Sequence, residues 1–376
     1  MVEWKELCDF LNFEQPTPYL VKSTEYDNSY KTPVLTAGQS LLLGYTNELD
    51  GIYEADKDNP CIIFDDFTTS FHWIDYSFKV KSSAMKMLKP KANTNFRYVY
   101  YAMQQIRFVP QQHQRHWISK YSHFQIPVPS LKEQNRIVGI LDTFTDSIEN
   151  LKQQIAQRRK QYEHYRDQLL DLEGKEGVEM KTLGDIGCFI RGTGIQKADF
   201  VEEGFPCVHY GQIHTKYGLS ATKTISFVNE KLFKKSKKAT KGDVILATTS
   251  EDAEGVAKPV AWLSDEDVAV SGDAYIYHHN QNGKFMAHLF VSHRFFLFKV
   301  KHATGTKVVR ISGDSMAKYE FPLPPLSEQQ RIVDILDRFE ALTTDLQSGL
   351  PAEIEARRKQ YEYYREKLLT FKRKTA

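Results

Sequence analysis

The stretch "EARRKQYEYYREKLLTF" near the C-terminus nearly repeats one that stands some two hundred residues earlier, "AQRRKQYEHYRDQLLDL". Each closes a longer repeat, Pro127 to Leu172 and Leu323 to Phe371. Glu133-Gln134 aligns with Glu328-Gln329 at an offset of 195, and Arg158-Arg159 with Arg357-Arg358 at 199. The second copy therefore holds four extra residues, around Ser348-Gly349-Leu350-Pro351. "RIV", "ILD" and "RRKQYE" recur in the same order, which two unrelated surface helices would not show.

The first copy carries an apolar seam in steps of four and three: Ile137, Leu141, Phe144, Ile148, Leu151, Ile155, Arg158, Tyr162, Tyr165, Leu169 and Leu172. That spacing predicts a coiled-coil helix. Ser130 with Glu133 forms a capping box at its start. Leu131 to Leu172 as helix spans roughly 60 Å at ~1.5 Å per residue. The second copy keeps the seam in two pieces, Ile332, Leu336, Phe339 and Leu346, then Ile354, Tyr361, Tyr364, Leu368 and Phe371. Four inserted residues are a stutter, and Gly349-Leu350-Pro351 kinks or breaks the helix, with Pro351 suited to open the second piece.

These helices organise the chain into a globular segment 1–126, a helix 127–172, a link 173–181, a globular segment 182–322 and a helix 323–376. Both globular segments read as mixed α and β. "CIIFDDFTTSFHWI", "YSFKVKSS", "GDVILATTS" and "DAYIYHHN" have strand character between turn residues, whereas "NFRYVYYAMQQI" and "KFMAHLFVSHRFFLF" have helical spacing. The expected class is α+β: two mixed α/β globular domains separated by two long helices that pair as an antiparallel coiled coil. Antiparallel pairing would put the domains at opposite ends of the helices, related by a pseudo-two-fold axis. Helices kept alike with modules allowed to differ describe a constant scaffold carrying two variable readers.

Composition narrows the class. At 41% hydrophobic and 12% aromatic, the chain can bury sizeable cores. No stretch approaches the ~20 apolar residues of a membrane span, and the N-terminus lacks the pattern of a signal peptide. Cys8, Cys61, Cys188 and Cys207 are scattered, as expected for reduced thiols in a cytoplasmic protein. A net charge of +2 means that any basic surface is a local patch.

The module–helix–module–helix order, with "PVPSLKEQNRIVGILD" and "PLPPLSEQQRIVDILD", resembles the specificity subunit of type I restriction–modification systems. So do "RRKQYEYYREKLL", "TLGDIGCFIRGTGIQKADF" and "PCVHYGQIHTKYG". The resemblance covers essentially the whole chain. It implies two target-recognition domains that read a bipartite double-stranded DNA sequence around an unread spacer. It also implies that the helices dock two modification subunits, which methylate adenine with S-adenosylmethionine, and that two restriction subunits using ATP and Mg2+ join through them. None of these cofactors is expected on this chain.

The residues agree that this chain is not itself a catalyst. "NPCI" lacks the second proline and the aromatic of an amino-methyltransferase element, and no phosphate-binding glycine loop exists. Asp243, Glu251 and Lys258 lack nuclease spacing. The histidines show no metal-site pattern, so no metal site is expected. Asp65-Asp66 reads as a pair that caps a strand end or accepts from loop amides. A non-DNA scaffold with two ligand-binding modules is the alternative reading.

Candidate DNA contacts lie in polar or basic loops. In the first module they are Gln39, Tyr45, Thr68, Thr69, Ser70, His72, His113, Arg115 and His116. In the second they begin with Arg191 and Lys197 around Gly192 and Gly194, where small glycines permit close approach to a phosphate. Tyr210, Gln212, His214 and Lys216 follow, Gln pairing with adenine and Lys with guanine. The run Lys231, Lys234, Lys235, Lys237, Lys238 and Lys241 is either a solvated face or a phosphate-screening one. Thr248, Thr249 and Ser250 form a polar loop, and Lys307 and Arg310 flank Gly305.

Overall fold

The computed structural model describes residues 2–38, 40–110, 114–305, 307–344 and 349–372. They form two units, Met1–Leu151 with Ile354–Ala376, and Lys152–Glu353. The first repeat is one 40-residue helix, Leu131–Leu170. The second is two helices, Leu326–Thr344 and Leu350–Leu369, with Pro351 in the opening turn of the latter. Each unit therefore combines one module, the beginning of the helix that follows it, and the end of the other copy.

Residues 127–128 and 323, at the start of each repeat, are strand rather than helix. Gln125–Val128 pairs antiparallel with Glu3–Glu6, and Glu320–Leu323 with Glu179–Thr182. Pro127, Pro129, Pro322, Pro324 and Pro325 hold these approaches extended, because a proline disfavours helical backbone in the residue before it. The expected capping box is half made. Ser130 Oγ accepts from Glu133 N at 3.4 Å, but the Glu133 carboxylate pairs with Arg136 instead.

In the first unit, a four-stranded antiparallel sheet runs in the order Leu11–Glu14, Met85–Pro90, Cys61–Asp65, Phe71–Ile74. A three-stranded sheet holds Leu42–Thr46, Thr32–Leu35 and Lys79–Val80. The helix Phe96–Met103, capped by Asn95, buries Phe96, Tyr98 and Val99 in a core that also takes Ile137, Leu141 and Leu369. The second unit has two five-stranded sheets. Its helix Gly283–Phe290, capped by Asn282, buries Phe285 and Met286 with Leu170, Ile332 and Leu336.

Within each unit the helices run antiparallel and make the same contact. Phe144 stacks on Tyr364 with ring centres 5.3 Å apart in the first unit, and Tyr165 on Phe339 at 5.3 Å in the second. By the repeat offsets Phe144 corresponds to Phe339 and Tyr165 to Tyr364, so this is one aromatic contact made twice. The module contacts repeat too. Arg97 meets Asp142 at 2.7 Å, and Lys284 meets the equivalent Asp337 at 2.6 Å. Gln134 donates to Pro129 O and Gln329 to Pro324 O, each at 2.9 Å.

The apolar seam is only part of the buried face. Ile137, Leu141, Ile332 and Leu336 are fully buried, but against module as well as helix, which also buries Val333 and Leu369. Leu151 and Ile354 are buried; Phe144, Ile148, Ile155, Phe339 and Tyr361 are half-buried. Arg158 is exposed, and Tyr364 keeps 40% exposure beside its stacking partner. Leu346 lies outside the described residues.

Candidate nucleic-acid interface

The second module gathers most of its candidates around two neighbouring concavities. The short helix Tyr210–Thr215 carries Tyr210, Gln212 and His214. Beside it, strand Thr249–Ser250 pairs with Val309–Arg310, Thr249 directly opposite Arg310. His214 Nε2 lies 2.9 Å from Thr249 O, and Lys258 Nζ donates to His214 O at 3.0 Å. These bonds frame a cavity of about 800 Å³ lined by Tyr210, His214, Thr249, Ser250, Glu251 and Lys258 among others. Burial lowers the pKa of Lys258, since desolvation disfavours the ammonium form.

A second cavity, about 380 Å³, is lined by Lys197, Tyr210 and Asp273. Arg191 stands next to it, Nε donating to Gly272 O at 2.9 Å and a terminal nitrogen 3.9 Å from Asp273. The glycines here do different work. A Cβ on Gly192 would come within 2.2 Å of Ser271 O, so close chain packing demands that glycine, whereas none of the described residues lies within 4 Å of a Cβ at Gly194. Lys237 N donates to Thr193 Oγ1 at 2.8 Å, which ties the lysine run to this turn. Lys231, Lys235 and Lys237 are exposed. Lys234 pairs with Glu230, Lys241 with Asp265, and Lys238 lies over the Phe233 ring. Lys216 and Lys307 are exposed, as is Arg310.

Two candidates of this module turn inward. Gln212 Nε2 donates to Ser226 Oγ at 2.5 Å while its Oε1 accepts from His209 N, so both ends of the amide are occupied. Thr248 is buried and donates to Asp273 O. These hydroxyl and amide groups satisfy the fold.

In the first module, the loop after Leu35 meets the 68–72 segment. His72 Nε2 lies 2.9 Å from Gly38 O, Ser70 Oγ donates to Ala37 O, and Thr68 and Ser70 share a hydrogen bond. Thr69 holds a left-handed backbone, φ 58°. Gln39 and His113 lie outside the described residues. Tyr45 is half-buried on strand Leu42–Thr46, and Arg115 is exposed. His116 is fully buried, its N donating to Asp66 O at 2.9 Å, so its ring belongs to the core. The Asp65-Asp66 pair accepts loop amides as read: Asp65 Oδ1 from Phe67 N and Thr68 N, Asp66 Oδ1 from Trp117 N. Asp66 also pairs with buried Lys86 at 3.2 Å. Glu6, Cys8 and His123 bring three ligand-type atoms within 4.8 Å of one another, but both Cys8 Sγ and His123 Nδ1 are hydrogen-bonded to Glu6.

Comparison with known proteins matches this architecture. A family model described as the type I restriction modification DNA specificity domain fits residues 1–158 and again 175–356. The chain belongs to the type I specificity family. The Escherichia coli type I restriction enzyme EcoR124I/EcoR124II specificity subunit is 40% identical, over 98% of this chain and 94% of that one. A specificity subunit of Haemophilus influenzae, S.HindORF215P, is 28% identical over 98% and 96%. The solved type I S subunit from M. genitalium shares the fold at 15% identity, TM-score 0.51, covering 99% of this chain and 97% of that chain. A chain solved in work on complex assembly and conformational transition of the type I R-M system gives TM-score 0.56 at 13% identity, covering 98% and 97%.

Specificity subunits are recognition components rather than catalysts, which suits a cleft lined by hydroxyls, rings and unpaired charges. Glu251 and Lys258, which the sequence suggests only as nuclease parts, also border this cavity. Their signal was proximity to Thr248–Ser250, but Lys258 reaches the cleft only through the strand pairing that places it beside His214. No helix among the described residues is long and apolar enough to cross a membrane.

Proposed function

We propose that this chain reads a bipartite double-stranded DNA target with an unread spacer, one half-site per module, and docks two adenine-methyltransferase subunits, with restriction subunits joining through them in the cytoplasm. S-adenosylmethionine, ATP and Mg2+ would be used by those partners. The observation that carries the reading is the doubling of one module–helix unit within a single chain, with the aromatic contact between helices kept and the modules changed. Two equivalent copies of a scaffold suit two copies of one partner, while two different modules suit two different half-sites.

Residues kept identical in both copies without an internal task support the docking. Leu131 and Leu326, the first residues of their helices, are 60% and 57% exposed. Arg159 and Arg358 are exposed, with no hydrogen-bond or ion-pair partner among the described residues. In the second module, exposed Arg191, Lys197, Lys235 and Lys237 supply phosphate contacts, which fix position and make affinity salt-dependent.

Single-molecule sequencing of genomic DNA from cells expressing this chain with its methyltransferase subunit tests the reading. Methyladenine on both strands of one split motif, present only with this chain, is the expected result. Methylation independent of the chain would refute it, and binding that does not fall with rising salt would favour the non-DNA scaffold.

A further inference from the structure

The larger cavity of the second module has a chemical character that a phosphate-binding groove would not have. Glu251, Asp252 and Glu254 line it with one cation, Lys258, whose ammonium is turned to His214 O. Asp252 is committed to its own loop, Oδ1 accepting from Gly255 N at 2.7 Å. Glu254 lies between this cavity and a neighbouring one that contains the buried Lys299 ammonium. Glu251 is exposed and has no hydrogen-bond or ion-pair partner among the described residues. Two positions before it, Thr249 also lines the cavity. Thr249 is 8% exposed, yet its hydroxyl has no hydrogen-bond partner among the described residues. A buried hydroxyl left unpaired is costly unless an occupant completes it.

A phosphate would be repelled by this wall. The complementary occupant is a polar group that donates a hydrogen bond to the carboxylate and bonds the hydroxyl, bordered by the Tyr210 and His214 rings. On a DNA major-groove edge, donors are the exocyclic amino groups of cytosine and adenine. Arg310, opposite Thr249 in the strand pair, has its side chain on the same face and supplies a cation toward the flanking backbone or base.

We infer that Glu251 and Thr249 are specificity-determining residues, reading a base with a major-groove amino group, cytosine or adenine, within the half-site of the second module. This rests on the proposal that the module reads DNA. Glu251 accepts from the amino group, and Thr249 bonds the same base edge. The surrounding lysines and arginines hold the backbone and carry no sequence information.

The test uses the complex of this chain with its methyltransferase subunits and maps methylated motifs for wild type, Glu251→Gln and Thr249→Val. Glu251 is exposed, so the amide leaves the fold intact, and the second variant keeps the size of a buried side chain. The expected result is a loss of discrimination on the order of tenfold at one cytosine or adenine position of one half-site. The same half-site should respond when the second module is exchanged, with the other half-site unchanged. An unaltered motif in Glu251→Gln would overturn the inference while leaving the DNA-reading function standing. So would a uniform fall in methylation at every site, or relaxation at a position without an amino group. A wild-type complex that yields no split motif at all would overturn the functional reading itself, and this inference with it.

Discussion

Leu336→Ala tests whether the repeated helices are held by module and helix together. Leu336 is fully buried among Leu170, Phe285, Leu289 and Ile332, and its repeat equivalent Leu141 is fully buried among Phe96, Tyr98 and Ile126. Truncation removes three carbons, about 2.4 kcal/mol at ~0.8 kcal/mol per buried methylene. The cavity left behind brings the total to about 3 kcal/mol, within the range of roughly 2.7–5 kcal/mol for buried leucines. Every ~1.4 kcal/mol is tenfold in an equilibrium, so amides that exchange by opening of the affected unit should exchange about a hundredfold faster. Hydrogen exchange resolved by peptide reads this directly. Leu336→Ala should act on 152–353, and Leu141→Ala on 1–151 with 354–376. A loss under about 1 kcal/mol would refute the packing argument, as would an equal effect from the exposed Leu326→Ala, where about 0.5 kcal/mol or less is expected. Leu336→Glu should in addition abolish copurification with the methyltransferase subunit.

Other perturbations follow from the same contacts. His288 has its pKa pushed down to about 3, first by burial and then by Arg166 and Lys284. The unfolded imidazole takes up a proton near pH 6.5 and the folded one does not, so stability of the second unit should fall as pH drops from about 6.5 toward 3; acid titration of His288→Phe should show a shallower slope, the remainder coming from His279, whose pKa burial lowers to about 4. Asp66→Ala should cost about 3–5 kcal/mol in chemical denaturation, because it strands the buried Lys86 ammonium and frees Trp117 N. Lys235→Ala should weaken DNA binding by the complex equally across sequences and shallow the salt dependence by about one unit of log–log slope, read by binding titrations at several salt concentrations. Arg159→Glu and Arg358→Glu should each remove one of two methyltransferase copies in native mass spectrometry, and the pair both.

The repeat was legible because helices report themselves locally. Steps of four and three and the glycine–proline break are consequences of backbone geometry within a few residues. Strand and helix character was equally readable where a short apolar run or a helical spacing stands between turn residues, as at Cys61–Asp65, Ala274–His279 and Phe96–Met103. The site was not readable in the same way. Loop polarity pointed to His116, Gln212 and Thr248, yet His116 is fully buried, and the Gln212 amide and Thr248 hydroxyl are consumed by bonds to Ser226 Oγ and Asp273 O. Whether a polar side chain in a loop serves the fold or a partner depends on what faces it, and its neighbours in sequence do not say.

The amino-acid sequence by itself determined that one plan occurs twice, that the helices carry an apolar seam, and that four residues distinguish the copies. Tertiary structure decided that Phe144 meets Tyr364 and Tyr165 meets Phe339, because antiparallel pairing joins the start of one copy to the end of the other. It also decided that Thr249, Glu251, Lys258, His214 and Val308 border one cavity. Those residues are spread over nearly a hundred positions, and only the pairing of strand Thr249–Ser250 with Val309–Arg310 and the bond from Lys258 to His214 O bring them together. Periodicity is written along the chain, whereas a recognition surface is assembled across it, by contacts whose partners no local pattern records.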